Sequence, residues 1–208
     1  MALRTLFTLM AAFFIVPSIL AQNIEWEKSL GASSLDEAHS IQQTNDGGYV
    51  LAGRSGANDG DVWGNHGNAD FWVVKLNSSG DTSWTRSLGG SDYDVAHSVR
   101  QTSDGGYVLA GRSGSDDGDV SGNYGFDDFW VVKLNSSGDT SWTRSMGGSS
   151  PDNAYSVQQT SDGGYIVAGR SGSYDGYVSG SHGGFDFWVV KLNGSGDTSW
   201  TRSLGGYY

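Results

Sequence analysis

The chain has 208 residues with 33 Gly, 2 Pro and no Cys, and its 23 acidic against 12 basic side chains leave a formal charge of −11. Glycine without a Gly-X-Y period excludes collagen, and an acidic chain with no basic block is unsuited to nucleic acid. The lack of Cys removes disulfides, zinc–thiolate sites and cysteine nucleophiles, while eight Trp, ten Tyr and eight Phe argue for a folded, β-rich chain over a disordered acidic tail.

In chain order, residues 1–21 read as a secretory signal peptide: one positive charge at Arg4, an apolar run broken at Pro17 and Ser18, and a small-residue end at Ala21. The competing reading is a short membrane anchor, but no positive stop-transfer flank follows. No other stretch approaches the ~20 apolar residues of a membrane span. The expectation is a secreted or cell-surface protein with one β-repeat domain over 22–208. Ile24-Glu25-Trp26-Glu27-Lys28-Ser29-Leu30 matches the later TSWTRSL segments, which predicts an extra strand over 24–30.

A 58-residue repeat occupies the remainder. The units span 29–86, 87–144 and 145–202, and the first two agree at 45 of 58 positions. A period this long points to propeller blades or a related β array, not a helical solenoid. Each unit predicts four strands, exemplified by HSIQQT (39–44), GYVLAGRS (48–55), FWVVKLN (71–77) and TSWTRSLG (82–89). Asn45-Asp46-Gly47-Gly48 and Ser78-Ser79-Gly80-Asp81 supply tight turns, and a Gly/Asp/Asn loop of about fifteen residues joins the second strand to the third. The predicted fold is all-β: a β-propeller-like array of three four-stranded antiparallel blades plus the extra strand, in an incomplete or open ring.

The segments DGGYVLAGRSG (46–56) and DFWVVKLNSSGDTSWTRSLGG (70–90), with their copies, resemble the Gly-rich propeller-type repeats of secreted bacterial proteins, notably of Bacteroidetes. The Lys75–Trp84 segment also resembles the blade motif of quinoprotein propellers. The first resemblance implies an extracytoplasmic location, and the second makes Trp84, Trp142 and Trp200, with Trp26, blade-docking residues. It supplies no catalytic residues.

Propellers usually close with four to eight blades. Both ends of this array offer the same strand type, which leaves three readings: part of a longer array, a ring assembled from several chains, or an open arc with apolar faces to cover. Self-association to complete the ring is therefore one expected partnership.

Differences between units concentrate in the second-to-third-strand loop and in the loop joining successive units. Trp63 becomes Ser121 and Ser179, Asp61 and Asp119 become Tyr177, His66 becomes Tyr124 and then His182, and Leu35 becomes Tyr93 and then Pro151. Fixed scaffolds beneath varied loops are how binding surfaces are presented, although long loops also simply drift. The aromatic candidates on that face are Trp63, Tyr93, Tyr124, Phe126, Tyr174 and Tyr177, suited to a protein or glycan partner. Asp59, Asp61, Asp117 and Asp119 offer oxygen ligands for Ca²⁺; the alternative is that they cap turns. Asp70, Asp128 and Asp186 are expected to bond loop backbone. No catalytic constellation is identifiable, because the polar residues recur unit by unit and His39 and His97 give way to Tyr155. The functional expectation is a secreted or surface interaction module; the alternative is a purely structural segment of a larger surface protein.

Overall fold

A computed structural model describes residues 25–206; the expected signal peptide lies outside the described residues. Twelve strands form three four-stranded antiparallel sheets, each a meander in chain order. Blade 1 comprises β1 (Asp36–Gln43), β2 (Tyr49–Ser55), β3 (Asp70–Leu76) and β4 (Thr82–Leu88). Blade 2 comprises β5 (Asp94–Gln101), β6 (Tyr107–Ser113), β7 (Asp128–Leu134) and β8 (Thr140–Met146). Blade 3 comprises β9 (Asp152–Gln159), β10 (Tyr165–Ser171), β11 (Asp186–Leu192) and β12 (Thr198–Leu204). The blades do not close into a ring among the described residues.

Alternation along the strands explains why the blades stack. A strand directs successive side chains to opposite faces, yet every residue of DFWVVKL in β3 and β7 is buried. Both faces of these sheets must therefore be covered, as in a strand sandwiched between layers. Phe71 and Val73 face blade 2, where they meet Val99, Leu109, Trp130 and Val132 in one cluster. Phe129 and Val131 repeat the arrangement against Val157, Val167, Trp188 and Val190 of blade 3. The Phe71 and Trp130 rings lie 4.5 Å apart, as do those of Phe129 and Trp188. Gly111 leaves room for this contact, because a Cβ there would stand 2.8 Å from Phe71 Cζ.

The first strands of adjacent blades are neighbours. Ser40 Oγ accepts from Val99 N at 3.2 Å, and Ser98 Oγ accepts from Val157 N at 3.3 Å. The first strand of each blade starts three residues earlier than the alternation of HSIQQT implied, and the ladder register shifts around His39, His97 and Tyr155. These bulged residues stack along the three blades at ring separations of 5.2 and 5.4 Å.

Trp84 and Trp142 both reach across to the neighbouring blade. Each lies on the next blade, 5.6 Å from Tyr107 and Tyr165, over Gly138 and Gly196. These glycines, at φ 82 and 83°, join a left-handed turn to a close aromatic contact. Segment 24–30 differs from its expectation. Ile24 is outside the described residues, and 25–30 form no strand. Among the described residues no third strand precedes it to pair with. Trp26 nevertheless keeps the docking position, 5.7 Å from Tyr49 and against Gly80. Trp200 is exposed, with no blade across it among the described residues.

Candidate functional site

The meander places its hairpin turns on one edge of the array and its long loops on the other. The turn edge is clamped identically in each blade. Buried Lys75 reaches Asp46 at 2.8 Å and donates to the Leu76 carbonyl, and Lys133 and Lys191 do the same with Asp104 and Asp162. Asp46 also accepts from Gly48 N and from Thr44 Oγ1, and the Lys75 and Thr44 bonds hold its carboxyl far below the usual range. Asn77 Oδ1 accepts from Ser79 N and Asp81 N, which locks the second turn. These groups are spent on structure.

On the loop edge, the two loop families are stitched together by the carboxylates considered for Ca²⁺. Asp59 Oδ1 accepts from Ser33 N at 2.7 Å, and Asp117 Oδ1 from Ser91 N at 2.7 Å. Asp61 and Asp119 accept from Gly31 N and Gly89 N. Bonds from Ser33 and Ser91 lower the Asp59 and Asp117 carboxyls. Among the described residues no group of three or more His, Asp or Glu side chains is placed to hold a metal ion. The Tyr177 substitution fits because the backbone bond is retained: Asp61 N, Asp119 N and Tyr177 N donate to Gly31, Gly89 and Gly147 carbonyls at 2.9–3.0 Å.

Asp70, Asp128 and Asp186 accept from the loop amides of His66, Tyr124 and His182, at 3.0, 2.8 and 2.6 Å. Asp94 and Asp152, which open β5 and β9, are equally buried and accept from Gly90 N and Gly148 N at 2.8 Å. Burial raises the Asp94 carboxyl to about 6 and that of Asp128 to about 7. The sequence reading missed Asp36, Asp94 and Asp152, although their recurrence at one repeat position was a signal. It also missed the buried lysines.

The aromatic candidates divide into four places. Tyr93 and Phe126 line a cleft of about 410 Å³ with Arg54, Arg112, Asp92 and Asp127. Arg54 is paired with Glu37 at 2.9 Å and Arg112 with Asp127, whereas Arg170, at the same repeat position, lies 4.4 Å over the Phe185 ring. Tyr124 and Tyr177 meet edge-on at 5.6 Å across blades 2 and 3. Trp63 stands apart, 70% exposed, beside His66 and Arg86 in a separate shallow cleft. Tyr174 is exposed and outside both. The structure thus gathers Tyr93 and Phe126, and Tyr124 and Tyr177, but not all six. Sequence reasoning missed the two cleft arginines, which the repeat holds fixed.

Aromatic faces beside guanidinium and carboxylate groups give the cleft both stacking surfaces and hydrogen-bonding partners of either sign. No helix among the described residues is long and apolar enough to cross a membrane. Comparison with protein-family models finds no match, and comparison with curated proteins finds none either.

Proposed function

We propose that the protein is a secreted or cell-surface interaction module of the Gly-rich propeller-repeat type, which takes a protein or glycan partner on its loop edge. One observation carries this reading. The cleft bearing exposed Tyr93 and Phe126 between Arg54 and Arg112 lies where the units differ, while the turn edge is held by the same Lys–Asp clamp in all three blades. Exposed aromatics with adjacent arginines are the side chains that dominate recognition surfaces. Their partner-facing position on loops leaves the scaffold unaffected by changes there.

The test presents the purified protein to a glycan array and to intact cells of its source environment, alongside a Tyr93→Ala/Phe126→Ala variant and a turn-edge Ser79→Ala control. Binding that falls at least about tenfold in the cleft variant and persists in the control is the expected result. No binding on either surface would favour the alternative, a structural segment with no ligand of its own. For the export reading, N-terminal sequencing of protein recovered from the medium or envelope should give a chain beginning at Gln22; a chain retaining Met1 would refute cleavage.

A further inference from the structure

The two blade joints inside the chain are two copies of one head-to-tail interface, and among the described residues the first and third blades carry its two uncovered halves. The donor half, on blade 3, holds Phe187 and Leu204. Both are 58% exposed, whereas their counterparts Phe71 and Phe129 are fully buried and Leu88 and Met146 nearly so. The acceptor half, on blade 1, holds Trp72 and Gly53 at the positions of Trp130 and Gly111, which receive Phe71 in the first joint. Here Trp72 and Gly53 line a cavity of about 170 Å³ with Leu30, Leu51 and Val74. Ile41, on the same half, is 59% exposed, against full burial of Val99 and Val157.

Polar partners are also duplicated. Arg86 donates to the Ser137 carbonyl and pairs with Asp139, and Arg144 does so with Ser195 and Asp197. The unused counterparts are Arg202 on the donor half and the Ser79 carbonyl with Asp81 on the acceptor half. Val99 N donates to Ser40 Oγ and Val157 N to Ser98 Oγ across the internal joints, and Ile41 and Ser156 stand at the corresponding donor and acceptor positions on the outer halves.

We propose that two copies of this chain join head to tail through these halves, the Phe187 of each filling the Trp72–Gly53 cavity of the other. A surface that complements another patch on the same molecule makes a heterologous contact, which closes when the rotation per unit allows. The three described blades of two copies give six, within the four to eight of known propellers. Residues 25–30 act as a strap on the acceptor half. Trp26 occupies on Tyr49 and Gly80 the place that an incoming Trp200 takes, since Trp84 and Trp142 hold that place in the internal joints. The strap must yield as the copies join, which makes the external joint weaker than the internal ones.

Sedimentation equilibrium of the purified protein over a range of concentrations tests this. The expected result is a monomer–dimer equilibrium. Phe187→Asp and Ile41→Asp, both at exposed positions and checked for unchanged circular dichroism, should each weaken it at least about tenfold, because each places a charge in an apolar joint. An equimolar mixture of the two variants restores one intact joint and should recover dimer above either variant alone. Trp26→Ala, which removes the strap's anchor, should tighten association. A monomer at every concentration overturns the proposal. So does a dimer lost in Phe187→Asp but unaffected by Ile41→Asp, which is a back-to-back pair, or an open series of larger masses.

Discussion

The two internal joints share a core and differ at the rim. Beneath the loops, Phe71 on Trp130 and Phe129 on Trp188 repeat the same 4.5 Å contact. At the loop rim, the first joint sets His66 of blade 1 near Asp119 of blade 2, and the second sets Tyr124 against Tyr177 at the corresponding positions. Charge has been exchanged for aromatic contact without disturbing the backbone bond that both loops make. The difference teaches that the layered core contact is held constant from joint to joint while the rim varies above it.

The sharpest way to break that comparison is to truncate the core phenylalanines. Phe71→Ala and Phe129→Ala should each cost about 3–5 kcal/mol, since each empties a fully buried site against a Trp ring. Phe187→Ala, at the same repeat position on an exposed face, should cost the monomer below about 1 kcal/mol. Urea melts monitored by Trp fluorescence measure all three. Similar losses at 71 and 187 would mean that the position is important within a blade and not between blades.

Much of this architecture was legible in the chain. Three of the four strands in each unit lie within a residue or so of their expected bounds, because Gly47, Gly80 and their copies sit at positive φ where the turns had to be. The start of the first strand is hidden in the sequence because its opening residue is Asp36, Asp94 or Asp152, a poor strand former that is held by amides of the preceding loop. Segment 24–30 reads as a strand because its text matches one; a ladder needs a neighbour, and only the docking of Trp26 survives without it. The site was less legible. Tyr93 and Phe126 are 33 positions apart in the chain, and nothing in either loop alone states that they share a cleft with Arg54 and Arg112.

A second test uses the buried carboxylates at the joints. An unfolded Asp titrates near 3.8, whereas burial raises Asp128 to about 7 and Asp94 to about 6. Between the two values the folded chain retains a proton that the unfolded chain has released, so stability declines as pH rises through that window and then levels. Asp128→Asn keeps an acceptor for Tyr124 N while removing the buried charge. It should be more stable than the parent by up to about 4 kcal/mol above about pH 7, with no advantage near pH 4. Asp94→Asn should gain less and level nearer pH 6. Thermal melts across that range check both, and a parent whose stability rises from pH 4 to 7 while Asp128→Asn follows it would contradict the assignment.

The smallest expected effect lies at the rim and separates its two versions. The Asp70 hydrogen bond raises the His66 imidazole above its usual 6.5, outweighing partial burial, while Asp70 itself is raised because its burial outweighs the His66 bond. A raised His contributes stability that is fully present below its unfolded value and is lost as pH rises through its folded one. The His66 side chain is 41% exposed, so solvent screening keeps this contribution below about 1 kcal/mol. His66→Ala should therefore cost more at about pH 6 than at about pH 9, whereas Tyr124→Ala, which removes a ring contact, should cost the same at both. Matched urea melts of the two variants at each pH decide it. If His66→Ala proves as indifferent to pH as Tyr124→Ala, the first rim is held by shape alone and the exchange between the joints is not one of charge.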